Sequence, residues 1–338
     1  MEQKQQKNEN KVKLSYPQDW VAYNQAQTQE KILFLELLYE LTSQIPQPKR
    51  EGAGRPSADL GEMIFSCCLK TYLDFSSRRS ESDIQLAKEL GYIHHPPHFN
   101  TVLKYLRKPE MKKVLMKLVE ISALPLKEVE SNFAMDASGF STVMSYAWNK
   151  INRNSSERSK FKKAHVMCGV KTNVITHIEI TDGYLHDSMM FDTLLLNTKK
   201  NFNMKEVYAD KGYLSEKNLG IAIKNGVIPF IPFRKNIKDS EQGKMLIWRV
   251  MFKFFKDNKE EFLKHYHLRS NVESVFSMMK RKFGCYVRGR TSIARDNEIL
   301  CKALCHNICV LIQEMFELGL KVDFQEVAAP EFMCKIEW

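Results

Sequence analysis

The chain has 338 residues, 43% of them hydrophobic and 27% charged. That balance excludes a disordered or low-complexity protein, and no uninterrupted apolar run approaches the ~18 residues of a membrane span. Lysine and arginine number 51 against 40 aspartates and glutamates, a net +11 that suits a polyanionic partner, above all nucleic acid. The polar start has no apolar segment to act as a secretory signal, so a soluble cytoplasmic protein is expected. Without a signal peptide, the eight cysteines read as buried thiols rather than a disulfide framework.

A helical stretch comes first, over about residues 25–43, where Ile32, Leu35, Leu38 and Tyr39 recur at helical spacing. Pro46 and Pro48 end it, and Lys49, Arg50 and Arg55 make a basic linker. Gly52 and Gly54 form no dinucleotide fingerprint, because no strand precedes them and no third glycine follows. Segments around 59–73, 81–90, 100–107 and 110–123 are helical in pattern. Two of them, carrying Ile84, Ala87 and Leu90 and then Val102, Leu103 and Leu106, flank a turn at Gly91. Two readings stand. One is a helix-turn-helix with Arg78, Arg79, Lys104, Arg107 and Lys108 near DNA phosphates; the other is a helical bundle with a solvated basic face.

After Pro125 the pattern changes to strands. Phe133 and Met135 alternate into Asp136, which sits at the expected strand end. Residues 165–170 and 174–181 are apolar strands joined by Lys171-Thr172-Asn173, a hairpin signal. A helix over 187–200, a strand over 206–209 ending at Asp210, a helix over 214–225 and a strand over 227–232 follow. From Glu241 to about Leu320 the chain is almost wholly helical. This order predicts a mixed α/β sheet with an antiparallel start. The expected regions are a tail and helix (1–50), a helical DNA-binding region (51–128), a catalytic domain (129–320) and a C-terminal tail (321–338). Cys301, Cys305 and Cys309 fall every fourth position beside Leu304, Ile308 and Ile312, a stripe that favours core packing over zinc, with His306 off the stripe.

Carboxylates at the ends of rigid strands are good metal ligands, although most such aspartates merely satisfy turns. Asp136 lies in Met-Asp-Ala-Ser-Gly and Asp210 in Tyr-Ala-Asp-Lys-Gly-Tyr. Farther on, Tyr266, Arg269, Glu273 and Lys280 fall within an arc of roughly 60° if they share one helix. Val272, Val275, Phe276, Met279 and Phe283 occupy the adjoining, sheet-facing arc. Either Glu273 is presented toward Asp136 and Asp210, or Arg269 and Glu273 are an incidental surface pair at i,i+4. Lys150, Arg153, Arg158, Lys160, Lys162 and Lys163 form a basic linker after Asp136, and Lys280, Arg281, Lys282, Arg288 and Arg290 form a second basic run. Both suit a DNA strand, and a solvated loop would look similar. Trp148 could stack on a base, though packing is the commoner role.

Tyr266, Arg269, Glu273 and Lys280 match, at every interval, the Tyr-Arg-Glu-Lys signature of one branch of the DDE-class insertion-sequence transposases, which this sequence resembles. Asp136 and Asp210 look like the family's first two aspartates. The hairpin followed by His186-Asp187-Ser188, and the helix bearing Asn307, are also similar; the likeness spans roughly residues 50–315. The resemblance implies an RNase H-like core with a helical N-terminal region and a helical C-terminal part. It also implies cleavage at transposon ends and strand transfer into target DNA. Asp136, Asp210 and Glu273 would be both catalytic and metal-binding, holding two Mg2+ ions for which Mn2+ substitutes. Tyr266, Arg269, Lys280, Lys160, Lys162, Lys163 and Arg281 would contact DNA. Asp187 reads better as a helix N-cap, and a two-metal site does not need His186 as a base. The expected partners are double-stranded DNA and a second copy of the chain on that DNA. No membrane is expected, and the protein would be nucleoid-associated when bound. The span 211–272 leaves little room for the strand-rich insertion of some relatives. Two alternatives remain: a domesticated non-catalytic DNA-binding protein, or a metal-dependent nuclease without strand transfer.

Overall fold

A computed structural model describes residues 19–47, 57–142, 161–234 and 245–327. Lys150, Arg153, Arg158, Lys160 and Trp148, the basic linker at 48–56 and the last residues of the tail lie outside them.

The centre is a five-stranded mixed sheet built from β1 (Asn132–Ser141), β2 (Phe161–Gly169), β3 (Ile175–Asp182), β4 (Glu206–Ala209) and β5 (Ile228–Phe230). Its order is β3-β2-β1-β4-β5. The first three strands pair antiparallel, and β4 and β5 run parallel to β1. This is the RNase H-like arrangement: a hairpin-connected antiparallel half and a parallel half reached by helical crossovers. Strand β1 does not stop at Asp136 as the alternation suggested. The small residues Ala137, Ser138 and Gly139 carry the pairing on to Ser141, opposite residues 161–165, so Asp136 lies mid-strand.

The helices are α1 (Trp20–Ser43), α2 (Leu60–Tyr72), α3 (Glu81–Glu89), α4 (Phe99–Leu106) and α5 (Glu110–Ala123) before the sheet. Then come α6 (Phe191–Asn201), α7 (Glu216–Lys224), α8 (Leu246–Asp257), α9 (Lys259–His267), α10 (Ser270–Phe283), α11 (Ser292–Glu317) and α12 (Phe324–Val327). Helix α11 is long and apolar enough by composition to cross a membrane, but it is mostly buried. It packs against α1, α2, α5 and β3, and is the core helix on which the N-terminal helices and the sheet meet. That position explains why it is buried on nearly every side, its few polar side chains included. Cys301, Cys305 and Cys309 are in this core as expected. His306, off that stripe, is buried as well, with Nε2 2.9 Å from the Asn173 carbonyl.

Asn307 ties the two halves together. Its Nδ2 donates to Val119 O, Ser122 Oγ and Ile175 O, and its Oδ1 accepts from Ile175 N at 2.8 Å. A fully buried amide with its bonds satisfied fixes α11, α5 and β3 in one register. Helices α3 and α4 exist as predicted, but residues 90–98, with Pro96 and Pro97, separate them. That connection is longer than the three- to four-residue turn of a helix-turn-helix, so the tight motif is absent and a looser helical pair stands in its place.

Candidate active site

Strands β1 and β4 run side by side in parallel, with Met135 opposite Ala209. The next residue on each is an aspartate, so Asp136 and Asp210 emerge next to one another. Asp136 Oδ1 accepts from the Ala137 amide at 2.8 Å. Asp210 leaves the sheet as the cap of a short 3-10 turn, Lys211–Tyr213, accepting from Lys211 N at 2.7 Å. Burial pushes the Asp136 carboxyl up to about 6, and the negative charges of Asp210 and Asp187 add to the effect.

The third carboxylate arrives from the helical C-terminal part. Tyr266, Arg269, Glu273 and Lys280 do not share one helix: α9 ends at His267 and α10 begins at Ser270. The joint is tightened by i→i+3 bonds, Arg269 N to Tyr266 O at 3.0 Å and Val272 N to Arg269 O at 3.1 Å. The two helices therefore run on with little loss of phase. The inner face of α10 is buried through Val272, Val275, Phe276, Met279 and Phe283, as the spacing predicted. Arg269 reaches across the gap: Nη1 donates to Asp136 Oδ2 at 2.8 Å, and Nη2 donates to Glu273 Oε1. The pair with Glu273 is thus one arm of a fork gripping two acids, not an incidental surface bridge. Lys280 is turned inward, donating to Ser138 Oγ at 2.6 Å above the Phe140 ring, and burial pushes its ammonium down to about 8. Arg281 is exposed on the same helix, and Tyr266 sits beside the Arg269 guanidinium, 5.9 Å from its ring centre.

Asp187, His165 and Tyr213 join the site although the sequence pattern did not place them there. Asp187 does not cap its helix; the His186 side chain does, accepting from Ser188 N at 3.3 Å. The Asp187 carboxylate instead turns back to β2, where Lys163 Nζ stands 2.7 Å away and His165 Nδ1 3.6 Å away. Burial pushes His165 down to about 4, which leaves it neutral at pH 7. Tyr213, from the Asp210 turn, is buried, and its hydroxyl has no hydrogen-bond partner among the described residues. That hydroxyl lies in the combined field of Asp187, Asp136, Asp210 and Arg269, and burial with the negative charges drives its pKa well up.

Strand alternation separates the two basic residues expected in a linker. Lys162 and Lys163 are on β2, facing opposite ways. Lys162 is buried, bound to Asp182 at 2.6 Å, Ser292 at 2.7 Å and Asp296 at 3.1 Å. Its charge is spent inside the fold, so it drops out of the expected DNA contacts. Lys163 stays at the site through Asp187.

The donor set fits a hard divalent cation. Asp136, Asp210 and Glu273 offer carboxylate oxygens, and the raised Asp136 carboxyl and orphaned Tyr213 hydroxyl mark an excess of negative charge and unmet polar capacity. In this structure the counter-charge is the Arg269 guanidinium. Among the described residues no three acidic, histidine or cysteine side chains converge closely enough to hold a metal ion, and Arg269 stands bonded to both Asp136 and Glu273.

Comparisons with known proteins bear on the family of the chain. The family described as "Transposase DDE domain" matches residues 127–308, more than half of the chain. A probable transposase for insertion sequence element ISA1214 from Archaeoglobus fulgidus is 24% identical over 277 residues, covering 81% of each chain. Among solved structures, a piggyBac transposase synaptic complex with hairpin DNA aligns over 90% of this chain and 78% of that one. Its TM-score is 0.43 at 11% identity. The matched span begins just before β1 and closes within α11, enclosing the sheet, both aspartates and Glu273; the chain belongs to the DDE transposase family, whose members act on DNA and depend on a divalent metal.

Proposed function

We propose that this transposase cleaves transposon ends and transfers the freed strand into target DNA with Asp136, Asp210 and Glu273 as its catalytic carboxylates, in the manner of the Tyr-Arg-Glu-Lys branch. The supporting observation is the juxtaposition of Asp136 and Asp210 on neighbouring parallel strands, with Glu273 linked to Asp136 through one guanidinium.

The three carboxylates would hold two Mg2+ ions, with Mn2+ able to substitute. Such ions, when bound, sharpen a water or 3′-hydroxyl as nucleophile and stabilise the leaving oxygen of the phosphodiester. The chain's own groups prepare that site. Asp136 is held by the Ala137 amide and Asp210 by the Lys211 amide, so neither carboxylate has to be ordered when DNA arrives. Arg269, released from the acids, carries its fork to a DNA phosphate, and Tyr266 and Arg281 line the same approach. Lys280 holds β1 at Ser138, beside the carboxylate strand, and through it would steady the surface that the DNA approaches. Lys163 and Asp187 fix the opposite wall. Phe140 and Phe276, buried beneath Lys280, would keep bulk water from one side of the reacting phosphate.

Two ends must be cut together, so we propose a dimer assembled on double-stranded DNA, working at the nucleoid in the cytoplasm. Glu273→Gln tests the assignment: metal-dependent cleavage and joining should fall on the order of 10³-fold while duplex binding stays within twofold. Joining at the normal rate would refute it. Cut ends without joined product from the unaltered chain would mark a nuclease, and neither product would mark a DNA-binding regulator.

A further inference from the structure

A second concentration of charge lies outside the carboxylate site. A cleft of about 380 Å³ opens between the α2–α4 region and the segment that joins α10 to α11. Its walls carry Arg78 and Arg107 from the first region and Arg288 and Arg290 from the second. Lys70, on α2, completes the lining although it is only 3% exposed. Among the described residues, no hydrogen bond or ion pair joins any of these five to Asp136, Asp210 or Glu273.

Five cations around one small volume repel one another, and their own neighbours do little to relieve this. Glu298 is the one carboxylate in the lining, and its bonds go to backbone amides. Its oxygens accept from the backbone amides of Arg288 and Gly289 at 2.9–3.1 Å. Arg288 is partly compensated, donating to the Asp74 carbonyl at 2.8 Å and carboxylate at 3.1 Å. Lys70, Arg78, Arg107 and Arg290 have no carboxylate partner among the described residues.

The positions are also built rather than accidental. The Arg288-Gly289-Arg290 segment is pressed onto the first turns of α11. A Cβ at Gly289 would stand 2.8 Å from the backbone of Ala294 and Arg295, so only glycine permits that approach. Arg295 Nε binds the Gly289 carbonyl from the other side at 2.9 Å. Arg78 is steadied across the Phe99 ring, 5.2 Å from its centre. Lys70 is buried on α2 and contributes to the cleft lining.

We propose that this cleft is a phosphodiester-binding site that grips the backbone of duplex DNA away from the reacting carboxylates. It is a clamp contributed jointly by the N-terminal helices and the 288–290 segment. Four guanidinium forks suit phosphate oxygens held bidentately. A row of such contacts gives register and affinity without reading sequence. The site extends the proposed function by a second DNA contact, and it stands or falls separately from the catalytic assignment.

The test uses the full-length protein without metal and a fluorescent 40-base-pair duplex of mixed sequence. Arg78→Ala/Arg107→Ala alters only exposed side chains, and its circular dichroism and melting temperature should match the unaltered chain. Anisotropy titrations over a range of salt should show duplex affinity lowered about tenfold. The slope of log affinity against log salt should be shallower by about 1.8, near 0.9 for each phosphate no longer neutralised. Arg78→Lys/Arg107→Lys should restore most of the slope, because it returns the charge. Glu273→Gln, run in parallel, is read by its loss of metal-dependent strand transfer and not by binding, so a failed catalytic assignment and a failed clamp give different patterns. An unchanged slope in the alanine variant overturns the proposal. So does a folded lysine variant that stays as weak as the alanine one. Tighter binding of a 40-nucleotide RNA than of the duplex would overturn the assignment to DNA.

Discussion

The carboxylate site and the arginine cleft are both gatherings of like charge, held apart by the same core, and the fold treats them in opposite ways. At the carboxylates the chain supplies its own counter-ion: Arg269 binds Asp136 and Glu273 together. At the cleft the available acid, Glu298, is given to backbone amides, and four of the five cations are left without a carboxylate partner among the described residues. The first site is therefore closed by an internal cation that a ligand must displace, whereas the second is open to an anion from the start. The difference suits an order of events in which DNA is held first and the reacting centre is completed afterwards.

The largest effect expected is on chemistry alone. Glu273→Gln should cost on the order of 10³-fold in strand transfer, measured on a labelled end-bearing duplex, and leave the cleft's grip intact. If binding fell in parallel, the two regions would not be separable as described. Next in size is the joint that holds both regions on one scaffold. Asn307→Ala leaves the Ile175 amide and carbonyl buried without their side-chain partner. It should lower unfolding stability by about 3 kcal/mol in urea melts. Because α11 carries the scaffold for both sites, catalysis and binding should fail together as temperature rises.

A smaller effect separates the sites by pH. Asp136 titrates near 6 in the folded chain against 3.8 ordinarily, because burial disfavours its charge. The folded state then binds its proton more tightly than the unfolded state does. Ionisation of Asp136 costs nothing below about 3.8, costs progressively more up to about 6, and costs its full amount above that. Asp136→Asn should thus stabilise the metal-free protein at pH 7.5 by about 2 kcal/mol and make little difference at pH 4. Calorimetry at the two pH values checks this, and Mg2+ should raise the melting temperature of the unaltered chain more than that of the variant. The smallest expected effect is the tenfold drop in duplex affinity of Arg78→Ala/Arg107→Ala, which should appear with no change in pH dependence.

Much of the candidate site was legible because it is written in local pattern. Asp136 and Asp210 each follow an apolar strand segment, and the spacing from Tyr266 to Lys280 survives the break at Leu268 because that joint keeps helical phase. The neighbours that complete the site were not legible. Asp187 reaches Lys163 and His165 only because a short 3-10 turn folds back across the hairpin. Tyr213 belongs to the site because its buried hydroxyl lies in the field of the acids, which its spacing does not reveal. The basic run from 280 to 290 looked uniform, yet Lys280 goes inside to Ser138 and Lys282 pairs with Glu30, while Arg281, Arg288 and Arg290 face outward.

By itself the sequence determined the order of strands and helices, the apolar faces that pack, and three acids at chemically telling places. These depend on periodicity and turn chemistry, which act between residues a few positions apart. Tertiary structure alone decided which charges are spent and which are free. Neighbouring lysines on one strand point to opposite faces, and a guanidinium finds its acid across more than a hundred residues of chain. Charges combine through distance and burial in three dimensions, and neither is recorded in the linear spacing of the residues.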